Sequence, residues 1–201
     1  NTIGGFSVSM PFKQKILKYI DKIDNISKRT KSVNTVKIIN NKFHGFNTDY
    51  TGVKELFKKY KINNKKKVLL LGNGGMANTI RILLKDLNFK KINFSFRNKK
   101  KYNKWNIAKE NIINWEDRGL IKNYDLLINA TPLGMWNKNI LPVSLKSIQN
   151  FKIILDCAVN DSSKLKYYAK RLKKIYILGS ELSKYQARYQ FEIYTGKKIR
   201  S

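Results

Sequence analysis

From residue 68 onward, short apolar-rich strand candidates alternate with longer segments whose apolar residues recur at helical spacing. The candidates are Val68–Leu71, Ile92–Phe96, Leu126–Asn129, Ile153–Asp156 and Ile175–Leu178. Runs of this length without polar alternation suit strands covered on both faces. Between and after them, Ile80, Leu83, Leu84 and Leu87 mark one face of a helix over Thr79–Leu87, and Leu182, Tyr185, Tyr189 and Ile193 one side of a helix over Glu181–Tyr194. This alternation predicts βαβ units and a doubly wound parallel sheet.

The pattern before residue 68 differs. A short strand is predicted over Phe6–Met10, then a helix beginning after Pro11, a residue suited to a first helical position. Val33–Ile39 and Lys42–Phe46 read as a hairpin joined by the turn pair Asn40-Asn41. Val53, Leu56, Phe57 and Tyr60 predict a helix over Thr51–Tyr60. The expectation is therefore an α/β chain of two lobes: a small opening lobe over 1–48, a nucleotide-binding lobe over 49–178, and a closing helix over 179–201 that returns to the first.

Gly72-Asn73-Gly74-Gly75-Met76-Ala77 stands where the first buried strand should turn into a helix. Gly72, Gly74 and Ala77 fit the G-x-G-x-x-G/A dinucleotide fingerprint of a Rossmann-type sheet. The first glycine permits the tight turn, the second lets a pyrophosphate approach the backbone, and the small third residue lets helix and sheet pack closely. The free N–H groups and positive dipole end of the helix favour the phosphates. A tight strand-to-helix turn without a ligand can carry the same glycines. After the next strand, NAD-binding sheets place a carboxylate that accepts from the ribose 2′-OH. Here the residues are Arg97-Asn98-Lys99-Lys100-Lys101. A guanidinium suits a 2′-phosphate that a carboxylate would repel, so NADP(H) is expected rather than NAD.

Composition narrows the reading. The chain has 201 residues with a formal net charge of +29. Lysines are spread along its length, and no zinc-finger spacing, RNP-type aromatic signature or basic zipper accompanies them. Non-specific attraction to polyanions at low salt is expected, specific nucleic-acid recognition is not. No apolar run is long enough to span a membrane, and the opening Asn1-Thr2-Ile3-Gly4-Gly5 lacks the pattern of a signal peptide. One cysteine, Cys157, excludes an internal disulfide and one histidine, His44, excludes a His-rich metal site. These features fit a reducing compartment, the cytoplasm or an organelle interior; a monomer or homodimer is expected.

Three polar clusters lie at predicted turns: Ser7-Val8-Ser9-Met10-Pro11-Phe12-Lys13, Ser32-Val33-Asn34-Thr35 and Gly45-Phe46-Asn47-Thr48-Asp49. Singly, each reads equally well as turn formers, a surface lysine or a helix cap. As an ordered set they resemble the shikimate dehydrogenase family. The first is similar to its Asn-Val-Thr-x-Pro-Phe-Lys, the second to Ala-Val-Asn-Thr, and Asn47-Thr48-Asp49 with Gly52 to Asn-Thr-Asp-x-x-Gly. Gly72 to Met76 resembles its Gly-x-Gly-Gly loop, and Phe96-Arg97-Asn98 through Lys101 its Asn-Arg-Thr-x-x-Arg clamp. Ile128-Asn129-Ala130-Thr131-Pro132-Leu133-Gly134-Met135 and the stretch Gln186-Ala187, Phe191, Tyr194-Thr195-Gly196 complete the likeness.

The resemblance implies reversible reduction of the 3-keto group of 3-dehydroshikimate to shikimate, with NADPH as hydride donor, in aromatic amino acid and chorismate biosynthesis. It makes Lys13 the catalytic lysine and Asp49 its acidic partner. It makes Ser9, Asn34, Asp49 and Gln186 substrate binders. Gly72, Asn73, Gly74, Gly75, Met76, Arg97, Asn98, Lys101, Thr131, Cys157 and Gly179 become cofactor contacts. Departures are also visible. The family's Ser-x-Ser segment is expected before residue 1, so the substrate lobe is expected to be incomplete here, with an open sheet edge. Val159, Asp161 and Lys164 stand where the family has Tyr, Pro and Thr, and Glu181 stands for a glycine before the closing helix. These departures leave open a quinate/shikimate dehydrogenase of relaxed specificity, or a degraded relative that binds NADP without turnover.

Overall fold

The computed structural model describes residues 3–98, 105, 107–160 and 162–199. Strand β1 (Gly5–Ser7) is followed by a turn and a single 3-10 helix over Lys15–Tyr19, then β2 (Lys22–Ile23), α1 (Asn25–Thr30), β3 (Thr35–Ile39), β4 (Lys42–Phe46) and α2 (Thr48–Lys59). The remainder alternates: β5 (Val68–Leu71), α3 (Gly75–Asp86), β6 (Ile92–Ser95), β7 (Leu126–Asn129), α4 (Leu145–Ile148), β8 (Ile153–Asp156), α5 (Lys164–Arg171), β9 (Ile175–Leu178) and α6 (Gly179–Thr195).

Two sheets result. The first has four strands in the order β1-β3-β4-β2, in which β3 pairs antiparallel with both neighbours and β2 runs parallel to β4. Asn40 and Asn41 both take positive φ, 49° and 58°, which asparagine tolerates better than most residues and which the tight β3–β4 turn requires. The second sheet has five parallel strands in the order β6-β5-β7-β8-β9. The chain leaves β5 in one direction and β7 in the other, so the sheet has a switch point between them. Ligands bind at the carboxyl ends of strands in such a crevice.

The strands of the parallel sheet are buried because side chains alternate between two covered faces. Leu70, Ile128, Leu155 and Ile177 meet Ile80, Leu83 and Leu84 of α3, Leu56 and Phe57 of α2, and Leu182 of α6. Leu69, Leu71, Leu127 and Ile154 meet Ile148, Phe151, Leu165 and Ala169 on the other side. Helix α6 then crosses back to the first sheet, where Lys37 Nζ donates to the Ile193 carbonyl at 2.7 Å. Among the described residues no helix is long and apolar enough to cross a membrane.

The segment after Pro11 departs from expectation. Hydrogen-bonded turns occupy it, with Phe12 N–H on the Ser9 carbonyl and Ile16 N–H on the Phe12 carbonyl, before the short 3-10 helix. Only Ile16, Leu17 and Ile20 pack on the small core of Val8, Val33 and Val36, and Asp21 N–H is already taken by the Phe43 carbonyl. There is too little apolar face to extend a helix. Likewise Glu181 lies inside α6, in its first turn, rather than before it.

Candidate active site

Gly72 ends β5 at φ +104°, and a β-carbon there would lie 2.8 Å from the Ala130 carbonyl oxygen, so both backbone angle and space demand glycine. Gly74 is the residue before α3, with φ −81° and ψ −169°, a conformation open to any residue. A β-carbon on Gly74 would meet nothing within 4 Å. No side chain caps α3. The open space and the uncapped N–H groups form a cradle for a pyrophosphate, and the residues present fit one. Ala77 is fully buried against the sheet.

Asn73 Nδ2 donates to the Asn98 carbonyl at 3.0 Å, tying the glycine loop to the chain leaving β6. Arg97, beside it, is exposed, so its guanidinium is free to reach a phosphate on the ribose side of the loop. Lys101 lies outside the described residues.

Across the crevice, Lys13 Nζ donates to Asp49 Oδ2 at 2.6 Å, with the aspartate side chain 4% exposed and the lysine 18%. Asp49 sits in the first turn of α2, where the helix dipole favours a carboxylate. Lys13 is fixed through its backbone, because the Val33 N–H donates to the Lys13 carbonyl at 2.8 Å. Asn34 caps α2 from outside: its Oδ1 accepts from the Thr48 N–H at 2.8 Å, and its Nδ2 donates to Thr48 Oγ1 at 2.9 Å and to Gln186 Oε1 at 3.1 Å. Asn47, which precedes α2, instead donates to Thr30 Oγ1 and Thr79 Oγ1, both at 2.9 Å.

These groups line a cleft of about 480 Å³. Ser9, Lys13 and Asn34 come from the small lobe, Asp49 from the first turn of α2, Gln186 and Gly179 from α6, and Met76, Thr131 and Cys157 from the nucleotide-binding side. Gly179 allows a close approach, since a β-carbon there would lie 2.8 Å from the Ala158 carbonyl. Thr131 Oγ1 donates to Asn129 Oδ1 at 2.6 Å, and Asn129 Nδ2 donates in turn to Asp156 Oδ1 at 2.9 Å. Burial raises the pKa of Asp156 despite hydrogen bonds from Tyr176, Ala158 and Asn129. Val159 is exposed on the wall of the cleft.

Gln190 also lines the cleft and was not singled out by the sequence motifs. Its Nε2 donates to the Asn34 carbonyl at 3.1 Å and to Thr35 Oγ1 at 2.9 Å. Its place four residues after Gln186, on the same face of one helix, is the signal that identifies it.

Burial pushes the Cys157 thiol well above its usual pKa, and the nearby Asp156 and Asp49 carboxylates add to the effect. The reactive thiolate is thereby suppressed. Cys157 is expected to resist iodoacetamide at pH 8 in the folded protein and to react readily after denaturation, as mass spectrometry of the alkylated chain will show.

A phosphate cradle at the switch point of a parallel sheet, and beside it a cleft where a lysine of the small lobe meets a carboxylate on α2, mark a two-lobed dinucleotide-dependent oxidoreductase. The family model of the shikimate dehydrogenase substrate binding domain matches residues 1–36. A shikimate dehydrogenase (NADP(+)) from Methanococcus maripaludis is 37% identical over 98% of this chain and 73% of its own length. One from Clostridium botulinum is 35% identical over 93% of this chain and 74% of its own. The crystal structure of shikimate dehydrogenase 1 from Peptoclostridium difficile superimposes with a TM-score of 0.87 at 33% identity, covering 99% of this chain and 73% of that one. The chain belongs to the shikimate dehydrogenase family.

Proposed function

We propose that the chain interconverts 3-dehydroshikimate and shikimate by NADP(H)-dependent hydride transfer. The observation that carries this reading is the Lys13–Asp49 pair at 2.6 Å, lining the same cleft as Met76 in the first turn of the phosphate helix. NADPH, when bound, supplies the hydride. As the hydride reaches the carbonyl carbon, the π electron pair moves to oxygen. Lys13 Nζ stands to stabilise that charge and to give the oxygen its proton, so a C–H and an O–H bond replace the π bond. Asp49 holds the ammonium in place and accepts from a substrate hydroxyl. Ser9, Asn34 and Gln186 offer further polar groups, and a polyhydroxy acid needs them because an unmatched buried hydroxyl costs about 1–3 kcal/mol.

On the cofactor side, the backbone of Gly72 to Met76 would hold the pyrophosphate, and Arg97 with Asn98 would hold the 2′-phosphate, to which the family resemblance adds Lys101. Thr131, Cys157 and Gly179 would line the nicotinamide side. Under this reading the lobes divide at residues 48 and 178, with α6 closing the substrate side. We further assign the protein to the reducing cytoplasm, in keeping with its single cysteine, as a monomer or homodimer.

Shikimate and quinate, supplied side by side with NADP and with NAD, test this assignment through nicotinamide absorbance. Turnover is expected with shikimate and NADP. Preferential turnover of quinate would transfer the assignment to a quinate dehydrogenase, and Val159 would be the first residue to examine.

A further inference from the structure

Helix α3 is bound to the small lobe along much of its length. Asn78 Nδ2 donates to the Thr30 carbonyl, Thr79 Oγ1 accepts from Asn47, and Asp86 pairs with Arg29. At its first residue, Gly75, the two lobes touch backbone to side chain. A β-carbon on Gly75 would lie 2.8 Å from Ser32 Oγ, 3.4 Å from Lys13 Cβ and 3.7 Å from Ser32 Cβ. Ser32 is fully buried and its hydroxyl has no hydrogen-bond partner among the described residues.

We infer that Gly75, beyond the backbone it offers the dinucleotide, is a positioning residue for Lys13: the small lobe requires that it carry no side chain. The neighbouring glycines thus differ in purpose. A side chain at Gly74 would enter open space on the phosphate side. A side chain at Gly75 would press on the Ser32 hydroxyl, which is fully buried. Displacement of Ser32 carries the adjoining Val33 with it, and Val33 N–H holds the Lys13 carbonyl. The lysine would then be drawn from Asp49 while the cradle for the phosphates stays intact. Catalytic geometry is sensitive to shifts of this kind, with an ångström able to cost about a hundredfold.

This inference rests on the assignment of Lys13 to the chemistry, so the test includes a readout independent of turnover. Four proteins are compared: wild type, Gly75→Ala, Gly74→Ala and the double variant Ser32→Ala/Gly75→Ala. Removal of the Ser32 hydroxyl leaves the new methyl facing Ser32 Cβ at ordinary contact distance, so the double variant should be repaired. The readouts are kcat, NADPH affinity by fluorescence, and the rate at which an N-hydroxysuccinimide ester acylates Lys13, followed by peptide mass spectrometry. Gly75→Ala is expected to lower kcat at least tenfold, weaken NADPH less than Gly74→Ala does, and raise Lys13 acylation several-fold. The double variant should return kcat and acylation to near wild-type values. Gly74→Ala should weaken NADPH at least tenfold and leave Lys13 acylation unchanged. Acylation that is unaltered in Gly75→Ala, or altered without repair by Ser32→Ala, overturns the inference. Absence of turnover in the wild type, with the acylation pattern as expected, overturns the functional assignment alone.

Discussion

Lys13→Ala is expected to lower kcat by about 100- to 10,000-fold, the usual contribution of a positioned proton donor. The KM values should change little, because the ammonium acts mainly on charge that appears only as the hydride arrives; kcat and kcat/KM should therefore fall together. The substitution also leaves Asp49, 4% exposed, without its cation. A fully buried pair broken in this way costs about 3–5 kcal/mol. The cost here should be smaller, since the pair lines an open cleft and water can reach the carboxylate from the lysine side. A thermal melt beside the kinetics separates the two effects. A folded variant with normal KM and collapsed kcat is the expected result, and a variant with undiminished kcat would remove Lys13 from the chemistry.

Arg97→Ala is expected to raise the KM for NADP by about 10- to 150-fold while leaving that for NAD nearly unchanged. Hydrogen bonds to a charged group contribute about 1.5–3 kcal/mol, and each 1.4 kcal/mol is about tenfold in affinity. Arg97 is exposed beside Asn98, whose carbonyl is held by Asn73 of the glycine loop. Under the proposed assignment the guanidinium would meet the 2′-phosphate from a chain segment that Asn73 ties to the glycine loop. Titration of each cofactor at saturating shikimate gives the ratio. Equal losses with both cofactors would mean that Arg97 serves the loop rather than the 2′-phosphate.

The parallel sheet was legible because its central strands β5, β7 and β8 are apolar runs buried on both faces, and turns and helical spacing separate them from the edge strands. The small lobe was less so. Helix α1 buries Ser27 and Thr30 and is held by the Asp24 side chain on the Ser27 N–H at 2.8 Å, so it has no apolar stripe to read. Strand β2 is two residues long and exists only through its pairing with β4. In the site, residue types pointed to the lysine, the carboxylate and the glycines. They could not show that Asn34 supplies the cap that Asn47 withholds from α2, because that exchange joins a strand to a helix across the lobe. Nor could they distinguish Gly74 from Gly75. The difference is made by Ser32, which is distant in sequence and adjacent only after folding.

The central claim is that this cleft moves a hydride between the C3 carbon of shikimate and NADP under the control of Lys13. The most direct test is a single-turnover reaction with shikimate carrying deuterium at C3, followed by mass analysis of the nicotinamide. The account predicts that deuterium appears in NADPH for the wild type, and that Lys13→Ala binds NADPH but transfers the label at least a hundredfold more slowly. A wild-type protein that binds NADPH and transfers no label would contradict it.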